Sequence, residues 1–364
     1  MSVCISHRCA AKWLVSNPNH MIGSKPLARS DVPAFRAPLA ADARCILEQL
    51  GVDDQPLDVL VPSVADRRST SRLKVHVCQH MDKLPTGSFI PIESRIDDVD
   101  LYVTSPELTL AHLANRADGL ETIFWGMAFC SEYRLEPLSR SGVVLRTGHD
   151  RPLTDTRRLR RFLKQAGLVR GASFALRLVP HMLERSRSPR ESGLAMFLGL
   201  GTLYGGNSLG TIQLNPMISI YDGTDRFGGR KIISRSPDLL ILPRARSKQG
   251  HRVLVDYDSD SEHLVSEQKA ALDSSRRNEL MSLNGINYYT VTTAQANSYR
   301  AMVDLAERIR RNIGARPRPM LKGNRDSTKN QEAIKEWDAR RFALWHRFVR
   351  ISGHAPETSE TDWS

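Results

Sequence analysis

The sequence has no apolar run long enough to cross a lipid bilayer and contains few cysteines, and each shortage excludes a class of protein. Its first residues, MSVCISHRCAAKWLV, contain no uninterrupted apolar segment and therefore do not resemble a secretory signal. Its five cysteines are an odd number without CxxC spacing, which disfavours both a disulfide framework and a four-ligand zinc site. These patterns predict a cytoplasmic protein without a membrane-spanning segment.

Two cysteines and two histidines lie close together near the start of the chain: Cys4, His7, Cys9 and His20. Such side chains can bind a transition metal, but their spacing matches none of the usual zinc patterns. The alternative, which we favour, is that residues 1–30 form a flexible leader.

The chain has 364 residues, which is enough for two domains with separate cores. It carries 52 Lys and Arg against 40 Asp and Glu, a formal net charge of +12 at pH 7. This surplus favours a polyanionic partner such as DNA or RNA, because each neutralised phosphate releases counterions. Some basic proteins bind no nucleic acid, so the charge alone leaves the partner open.

Residues 31–150 have the pattern of an α+β domain. Strand-like pieces at 57–62 and 73–77 follow a helix that ends at Gly51. Further on, Ser-Pro-Glu at 105–107 is typical of a helix N-terminus. A cluster of Ser, Gly, Arg and Pro at 138–153 predicts the hinge to a second domain.

Within this domain, the order of strand, Leu-Pro, strand and then VTSPEL at 103–108 resembles actinobacterial proteins related to AbiEi-type abortive-infection antitoxins. The resemblance covers residues 57–133 and concerns the scaffold, so it implies little about chemistry. No convincing winged-helix module precedes it, which departs from the antitoxins that regulate transcription.

A strongly basic helix is predicted at 155–166, DTRRLRRFLKQA, with an apolar stripe that includes Leu159 and Phe162. Two interpretations stay equally open. The helix lies against a phosphate backbone, or it presents a solvated basic face without a partner. The basic side chains on it are Arg157, Arg158, Arg160, Arg161 and Lys164.

The stretch 237–285 carries acids at the ends of two apolar runs. Asp238 opens the first run, and Asp256 closes the second, with Asp258 two positions further on. If the polar loop between the runs reverses the chain, the runs pair as antiparallel strands and Asp238 meets Asp256. Paired carboxylates suit Mg²⁺, which accepts one or two of them together with water and phosphate oxygens. The alternative is that these acids are solvated turn residues.

The order of these acids, with Glu191 on a helix before them and His263 and an Asp-x-x-Arg helix at 273–276 after them, resembles the PD-(D/E)xK nuclease superfamily. The resemblance is to the branch related to very-short-patch-repair (Vsr-like) endonucleases and covers residues 188–315. It implies a restriction-endonuclease-like core, a mixed sheet flanked by helices, in a domain that spans residues 151–315.

The resemblance also implies roles for single residues. Asp238 and Asp256 would bind Mg²⁺ or Mn²⁺, Glu191 would support the metal or its water, and His263 would contact water or phosphate. Asp258 stands where the superfamily has a lysine, so either another cation supplies the positive charge or the chemistry has been lost. The candidates for that cation are Lys231, Lys248 and Arg276, and the candidates for contacts with the DNA backbone are Arg276 and Arg277.

Residues 316–364 are predicted to form a basic linker and then an amphipathic helix at 330–350. The apolar face of this helix docks either on the body of the protein or on a protein partner. Its members are Ile334, Trp337, Leu344, Trp345 and Phe348.

These patterns and resemblances predict an α/β protein with a restriction-endonuclease-like C-terminal core and a separate N-terminal α+β domain. The expected function is the Mg²⁺-dependent hydrolysis of DNA phosphodiesters. The alternative is a catalytically inactive nucleic-acid-binding or antitoxin-type regulatory protein that retains the nuclease fold.

Overall fold

The structure, a computed structural model, divides the chain into two compact units. The first unit comprises Met1–Ser139 and Val143–Glu184, and the second comprises Arg140–Gly142 and Arg185–Ser364. The residues that the structure describes are 1–17, 27, 29–52, 55–67, 69–139, 141–224, 228–243, 251–258, 279–280, 285–317, 319 and 327–350.

The described part of the first unit contains both strands and helices, and the first strand begins at residue 2. Five of the strands form a sheet in the order β3-β2-β1-β5-β4, and β6 and β7 form a separate antiparallel pair. In chain order the elements are β1 (Ser2–Ile5), α1 (His7–Ser16), α2 (Ala40–Leu50), β2 (Leu57–Val61), β3 (Leu73–Val77), β4 (Phe89–Ile92), β5 (Asp100–Thr104), α3 (Pro106–Ala114), α4 (Gly119–Phe129), β6 (Tyr133–Leu135), β7 (Val143–Leu145), α5 (Thr156–Gln165) and α6 (Ala172–Leu178).

The N-terminal strand lies at the centre of this sheet. β1 pairs antiparallel with β2 on one side and parallel with β5 on the other. Its residues Val3, Cys4 and Ile5 are fully buried. The expectation of a flexible leader is therefore wrong for residues 1–17, because β1 supplies the backbone partners of two neighbouring strands and the middle of the core.

The cysteines and one histidine that were expected in that leader are buried in the first unit. Cys4 and Cys9 are buried, and His7 is buried at the start of α1. Burial raises the pKa of the Cys4 thiol well above its usual value, which makes this sulfur unreactive at neutral pH. His20 lies outside the described residues.

The first unit continues past the expected boundary near residue 150. Just before α5, the hydroxyl of Thr154 donates to Glu107 Oε1 on α3 at 2.6 Å. At the start of α6, Gly171 has φ +88°, and an added Cβ would overlap the carbonyl oxygen of Ala111 on α3. These contacts hold α5 and α6 on the first unit, so the basic helix belongs to the N-terminal unit and not to the domain that carries the acids.

The described part of the second unit contains a four-stranded sheet in the order β13-β12-β11-β8 and a separate antiparallel pair, β9 with β10. β8, β11 and β12 pair antiparallel, whereas β12 and β13 pair parallel. In chain order the elements are α7 (Pro189–Gly199), β8 (Thr211–Leu214), β9 (Ile218–Thr224), β10 (Arg230–Arg235), β11 (Leu239–Leu242), β12 (Arg252–Asp258), β13 (Ile286–Thr292), α8 (Thr293–Ala296), α9 (Tyr299–Asn312) and α10 (Thr328–Phe348).

The C-terminal helix α10 docks on the second unit itself. Its side chains Trp337, Leu344, Trp345 and Phe348 are buried, and the indole N–H of Trp345 donates to the carbonyl oxygen of Ala296 at 2.8 Å. Of the two alternatives for this apolar face, the structure has the one in which it covers the body of the protein.

The protein is thus a mixed α/β protein, as the sequence predicted. None of the helices in the described part of the chain combines the length and the apolar composition that a membrane-spanning segment requires.

We expect Gly193→Ala to destabilise the protein by about 1–3 kcal/mol, because the new Cβ would overlap the carbonyl oxygen of Phe348 where α7 and α10 cross. Urea unfolding at equilibrium measures the change. Gly201→Ala is the matched control, because Gly201 has φ −67° and no atom within 4 Å of the added Cβ. Equal stability of the two variants would contradict this close packing.

Candidate functional site

The register of β11 and β12 places Asp238 beside Asp256. Leu239 pairs with Val255 in this antiparallel ladder, so the residues one step outward, Asp238 and Asp256, lie opposite each other. Directly opposed residues of neighbouring strands share one face of the sheet. Both aspartates are half-buried.

Reciprocal hydrogen bonds hold the two carboxyl groups. The backbone N–H of Asp238 donates to Asp256 Oδ1 at 2.9 Å, and the backbone N–H of Tyr257 donates to Asp238 Oδ2 at 2.7 Å. Each carboxylate thus accepts from the strand that carries the other. Because a carboxylate oxygen has two lone pairs, these bonds orient the groups without consuming their capacity to accept.

A tyrosine of β13 completes the arrangement around Asp256. The hydroxyl of Tyr288 donates to Asp256 Oδ2 at 2.6 Å, so both oxygens of this carboxylate have a fixed donor. Tyr288 also packs against the apolar cluster that contains Leu240 and Leu254 on the same face of the sheet. The sequence did not single out Tyr288, because a tyrosine in an apolar strand is ordinarily a packing residue.

Asp258 lies two residues beyond Asp256 and therefore on the same face of β12. It is half-buried at the end of the strand, paired in register with Thr292 of β13. Among the residues that the structure describes, no side chain or N–H donates a hydrogen bond to it. This face of the sheet thus presents three acids, and Asp258 adds no positive charge to it.

Glu191 is committed to the N-terminus of α7. Its Oε2 accepts from the N–H of Arg187 at 2.8 Å and from the amide of Asn215 at 2.7 Å, and its Oε1 accepts from the hydroxyl of Ser188 at 3.1 Å. Ser188 Oγ in turn accepts from the N–H of Glu191, which is a close variant of the capping box. Burial raises the pKa of Glu191, and the three donors oppose that effect.

Asn215, which was not predicted from the sequence, connects this cap to the acid pair. Its side-chain amide donates to Glu191, while its backbone N–H donates to the carbonyl oxygen of Asp238 at 2.9 Å. Asn215 is fully buried and has φ +46°, in the left-handed region that asparagine tolerates better than most residues. The Asn-Pro pair at 215–216 was the available signal, since it marks a turn at a strand end. Glu191 therefore reaches the acids through one intermediate residue.

Arg190, in the first turn of α7, lies over Tyr257 of β12 and was not among the cations predicted from the sequence. The guanidinium of Arg190 lies 5.3 Å from the ring centroid of Tyr257. Its Nη1 is buried and has no hydrogen-bond partner among the described residues. Tyr257 alternates with Asp256 along β12, so Arg190 lies over the face opposite to the acid pair.

The other proposed cations and the proposed histidine are distributed differently. Lys231 is exposed on β10, a strand that pairs with β9 and does not belong to the four-stranded sheet. His263, Lys248, Arg276 and Arg277 lie outside the described residues.

On α5, all five basic side chains are exposed, as an amphipathic basic helix requires. One of them, Arg158, lies 3.6 Å from the buried carboxylate of Glu107 on α3, so part of its charge is locally balanced. Burial of Leu159, Phe162 and Leu163 anchors the opposite face. The helix therefore presents a basic surface of the first unit.

The donor set at Asp238 and Asp256 fits a hard cation. Two carboxylates at one sheet edge are what Mg²⁺ takes from a protein when water and substrate oxygens complete its shell. In the described part of the chain, no group of three or more His, Cys, Asp or Glu side chains is arranged to hold a metal ion. A magnesium ion at this pair would need further oxygens from water or substrate.

Comparisons of the chain with protein-family models, with curated proteins and with solved structures found no match.

Glu191→Ala is expected to lower the free energy of unfolding by about 2–4 kcal/mol, because one buried donor and two part-buried donors would lose their acceptor. Glu191→Gln, which keeps one acceptor oxygen and the side-chain volume, should cost less than half as much. Urea denaturation of the two variants measures the difference. Equal losses would mean that the negative charge, and not the acceptor geometry, stabilises this helix start.

Proposed function

We propose that the protein hydrolyses phosphodiester bonds of DNA with the help of Mg²⁺ or Mn²⁺ held by Asp238 and Asp256. The observation that carries the proposal is the pair of reciprocal carboxylate–backbone hydrogen bonds, which fixes two half-buried acids side by side at the ends of neighbouring strands. A divalent ion at such a pair, when bound, can activate a water and neutralise charge on a phosphate.

The chain's own residues have separable tasks in this proposal. Asp238 and Asp256 bind the divalent ion, and Tyr288 orients Asp256 through its 2.6 Å hydrogen bond. Glu191 is a positioning residue, because its carboxylate holds the start of α7 and, through Asn215, the strand end that carries Asp238. A role for His263 in contacting water or phosphate rests on the family resemblance alone.

The strand order supports the finer proposal of a restriction-endonuclease-like core. That resemblance implies a mixed sheet flanked by helices, with acids at the ends of adjacent strands. The second unit has a mixed sheet with the order β13-β12-β11-β8, and α7 and α9 pack against β8 and β12. The acids lie where the two central strands of this sheet end.

We expect purified protein to nick or linearise plasmid DNA in the presence of Mg²⁺ or Mn²⁺, and Asp238→Asn and Asp256→Asn each to reduce the rate roughly 100-fold or more, because each removes a metal-binding charge. Agarose electrophoresis of a time course measures the rate. Asn keeps an acceptor oxygen for the strand-end hydrogen bonds, so folding should be preserved.

The matched control is Asp304→Asn, which removes an exposed acid on α9 of the same unit. The control should cleave at the wild-type rate. Cleavage by both strand-end variants at that rate would exclude the proposed site.

A second candidate function is binding of nucleic acid without catalysis, as in an antitoxin-type regulator that retains the nuclease fold. Two observations favour it. Asp258 places an acid where the superfamily has a lysine, and the exposed face of α5 carries five basic side chains with no acid among its residues 156–165. Backbone contacts by such a helix position a duplex without reading its sequence.

If α5 contacts DNA, replacing Arg157, Arg161 and Lys164 by Gln should weaken binding and reduce the slope of log affinity against log salt by about 0.9 for each lost phosphate contact. Fluorescence anisotropy with a labelled duplex at several salt concentrations measures both.

The control removes the same charge from exposed side chains elsewhere, at Arg36, Arg72 and Lys329. Equal losses of affinity in the two triple variants would mean that binding depends on net charge alone, which would contradict a role for α5. Salt-sensitive binding without cleavage would favour this second candidate over the first.

A further inference from the structure

The first unit contains a cavity of about 510 Å³ that neither proposed function uses. It lies where β2 and β3 end, between the start of α1, the end of α3 and the segment after α5. Its apolar walls include Leu60, Val75 and Val169, and among the described residues that line it there is no Asp or Glu. A volume of this size accommodates a small organic ligand.

Three histidines from different elements form a stack in the wall of this cavity. The ring of His7 lies 3.5 Å from that of His76 and 4.7 Å from that of His112, centroid to centroid, and the rings are nearly parallel. His76 Nε2 lies 2.6 Å from a carboxylate oxygen of Asp58, and Ser6 Oγ lies 2.9 Å from His7 Nδ1. Two of the rings are thus oriented by fixed partners behind them.

The third ring has an unused polar atom. His112 is 6% exposed, and its Nδ1 is buried without a hydrogen-bond partner among the described residues. Burial lowers the pKa of His112 to about 3 and also lowers that of His7, so both rings are neutral at pH 7 and each presents one N–H donor. A buried polar atom without a partner is costly unless a ligand or water satisfies it.

The backbone of His7 has φ +50°, a left-handed conformation that is uncommon for a residue other than glycine. The first residue of an α-helix does not require this left-handed conformation. The surrounding fold holds His7 there, with its ring between the other two imidazoles.

Three arginines also line this cavity: Arg67, Arg116 and Arg170. All three are exposed, and in the described part of the chain none of them forms an ion pair. Guanidinium groups match phosphate and carboxylate oxygens with paired N–H donors. Three such groups together carry more charge than a single carboxylate neutralises, which favours a dianion.

We propose that this cavity binds a phosphate monoester, with the arginines contacting the phosphate and the organic part of the ligand occupying the apolar and imidazole-lined interior. The arrangement does not suit a metal, because the stacked rings lie nearly parallel and their nitrogens do not converge on one point as metal ligands do. Its ligand is a free nucleotide-like molecule or the phosphorylated end of a nucleic-acid strand. The proposal is independent of the acid pair in the second unit.

Isothermal titration of the full chain with adenosine 5′-monophosphate and with adenosine tests the first source of the phosphate. A single-stranded deoxyoligonucleotide with and without a 5′-phosphate, at one fixed salt concentration, tests the second. We expect one of these pairs to show binding that is roughly ten-fold or more tighter with the phosphate.

The double variant Arg116→Gln, Arg170→Gln should remove that preference, because each substitution deletes a charged donor from the rim of the cavity. Both side chains are exposed, so the variant should fold. Arg72→Gln, an exposed arginine before β3 that does not line the cavity, is the control and should bind as the wild type does.

Phosphate-dependent binding that the double variant loses and the control retains supports the site, and the pair that shows it identifies the source of the phosphate. Equal binding with and without the phosphate in both pairs overturns the proposal. The proposal is also overturned if the double variant keeps the wild-type preference for the phosphate.

Discussion

The pairing of β11 with β12 is the constraint on which the candidate site depends. A shift of one residue in this register would move Asp256 away from Asp238 and turn its side chain to the other face of the sheet. The register is fixed twice, by the apolar residues that both strands bury and by the exchange of hydrogen bonds between each carboxylate and the neighbouring backbone. The same interactions that fix the register therefore place the acids side by side.

The polar network around Asn215 extends this constraint to α7. Glu191 and Asn215 are buried, Ser188 beside them is half-buried, and each of the three has hydrogen-bond partners within the unit. Such a network is stable only when its members are satisfied jointly, since a buried carboxylate without donors costs several times a single hydrogen bond. The acid that the family resemblance places beside a metal thus has a sufficient structural reason for its position, and any functional role acts through the strand end that it supports.

The two units distribute charge in different ways. The first unit has an exposed basic helix and an arginine-lined cavity, whereas the second gathers acids at one edge of its sheet. The net charge of +12 therefore does not describe a uniform surface. Long-range attraction of a polyanion follows from the total charge, but the chemistry at any one site follows from the few side chains that face it.

Much of the local structure was predictable from short patterns. Ser105-Pro106-Glu107 indicated the start of α3, where Ser105 Oγ accepts from the N–H of Leu108. The apolar runs with a polar loop between them indicated the antiparallel pair that brings Asp238 to Asp256. These patterns are informative because capping and strand alternation depend on residues within a few positions of one another.

The sequence by itself thus determined the mixed α/β class and the starts of several helices, and it offered the meeting of the two acids as one of two interpretations. Only the tertiary structure decided that residues 2–5 form the central strand, that α5 belongs to the first unit and that three histidines distant in sequence stack in one cavity. The physical reason is that burial and pairing between distant segments depend on which surfaces meet in the folded chain. A short run such as Val3-Cys4-Ile5 has no local signal that separates a central strand from a leader, because its partners are more than 50 residues away.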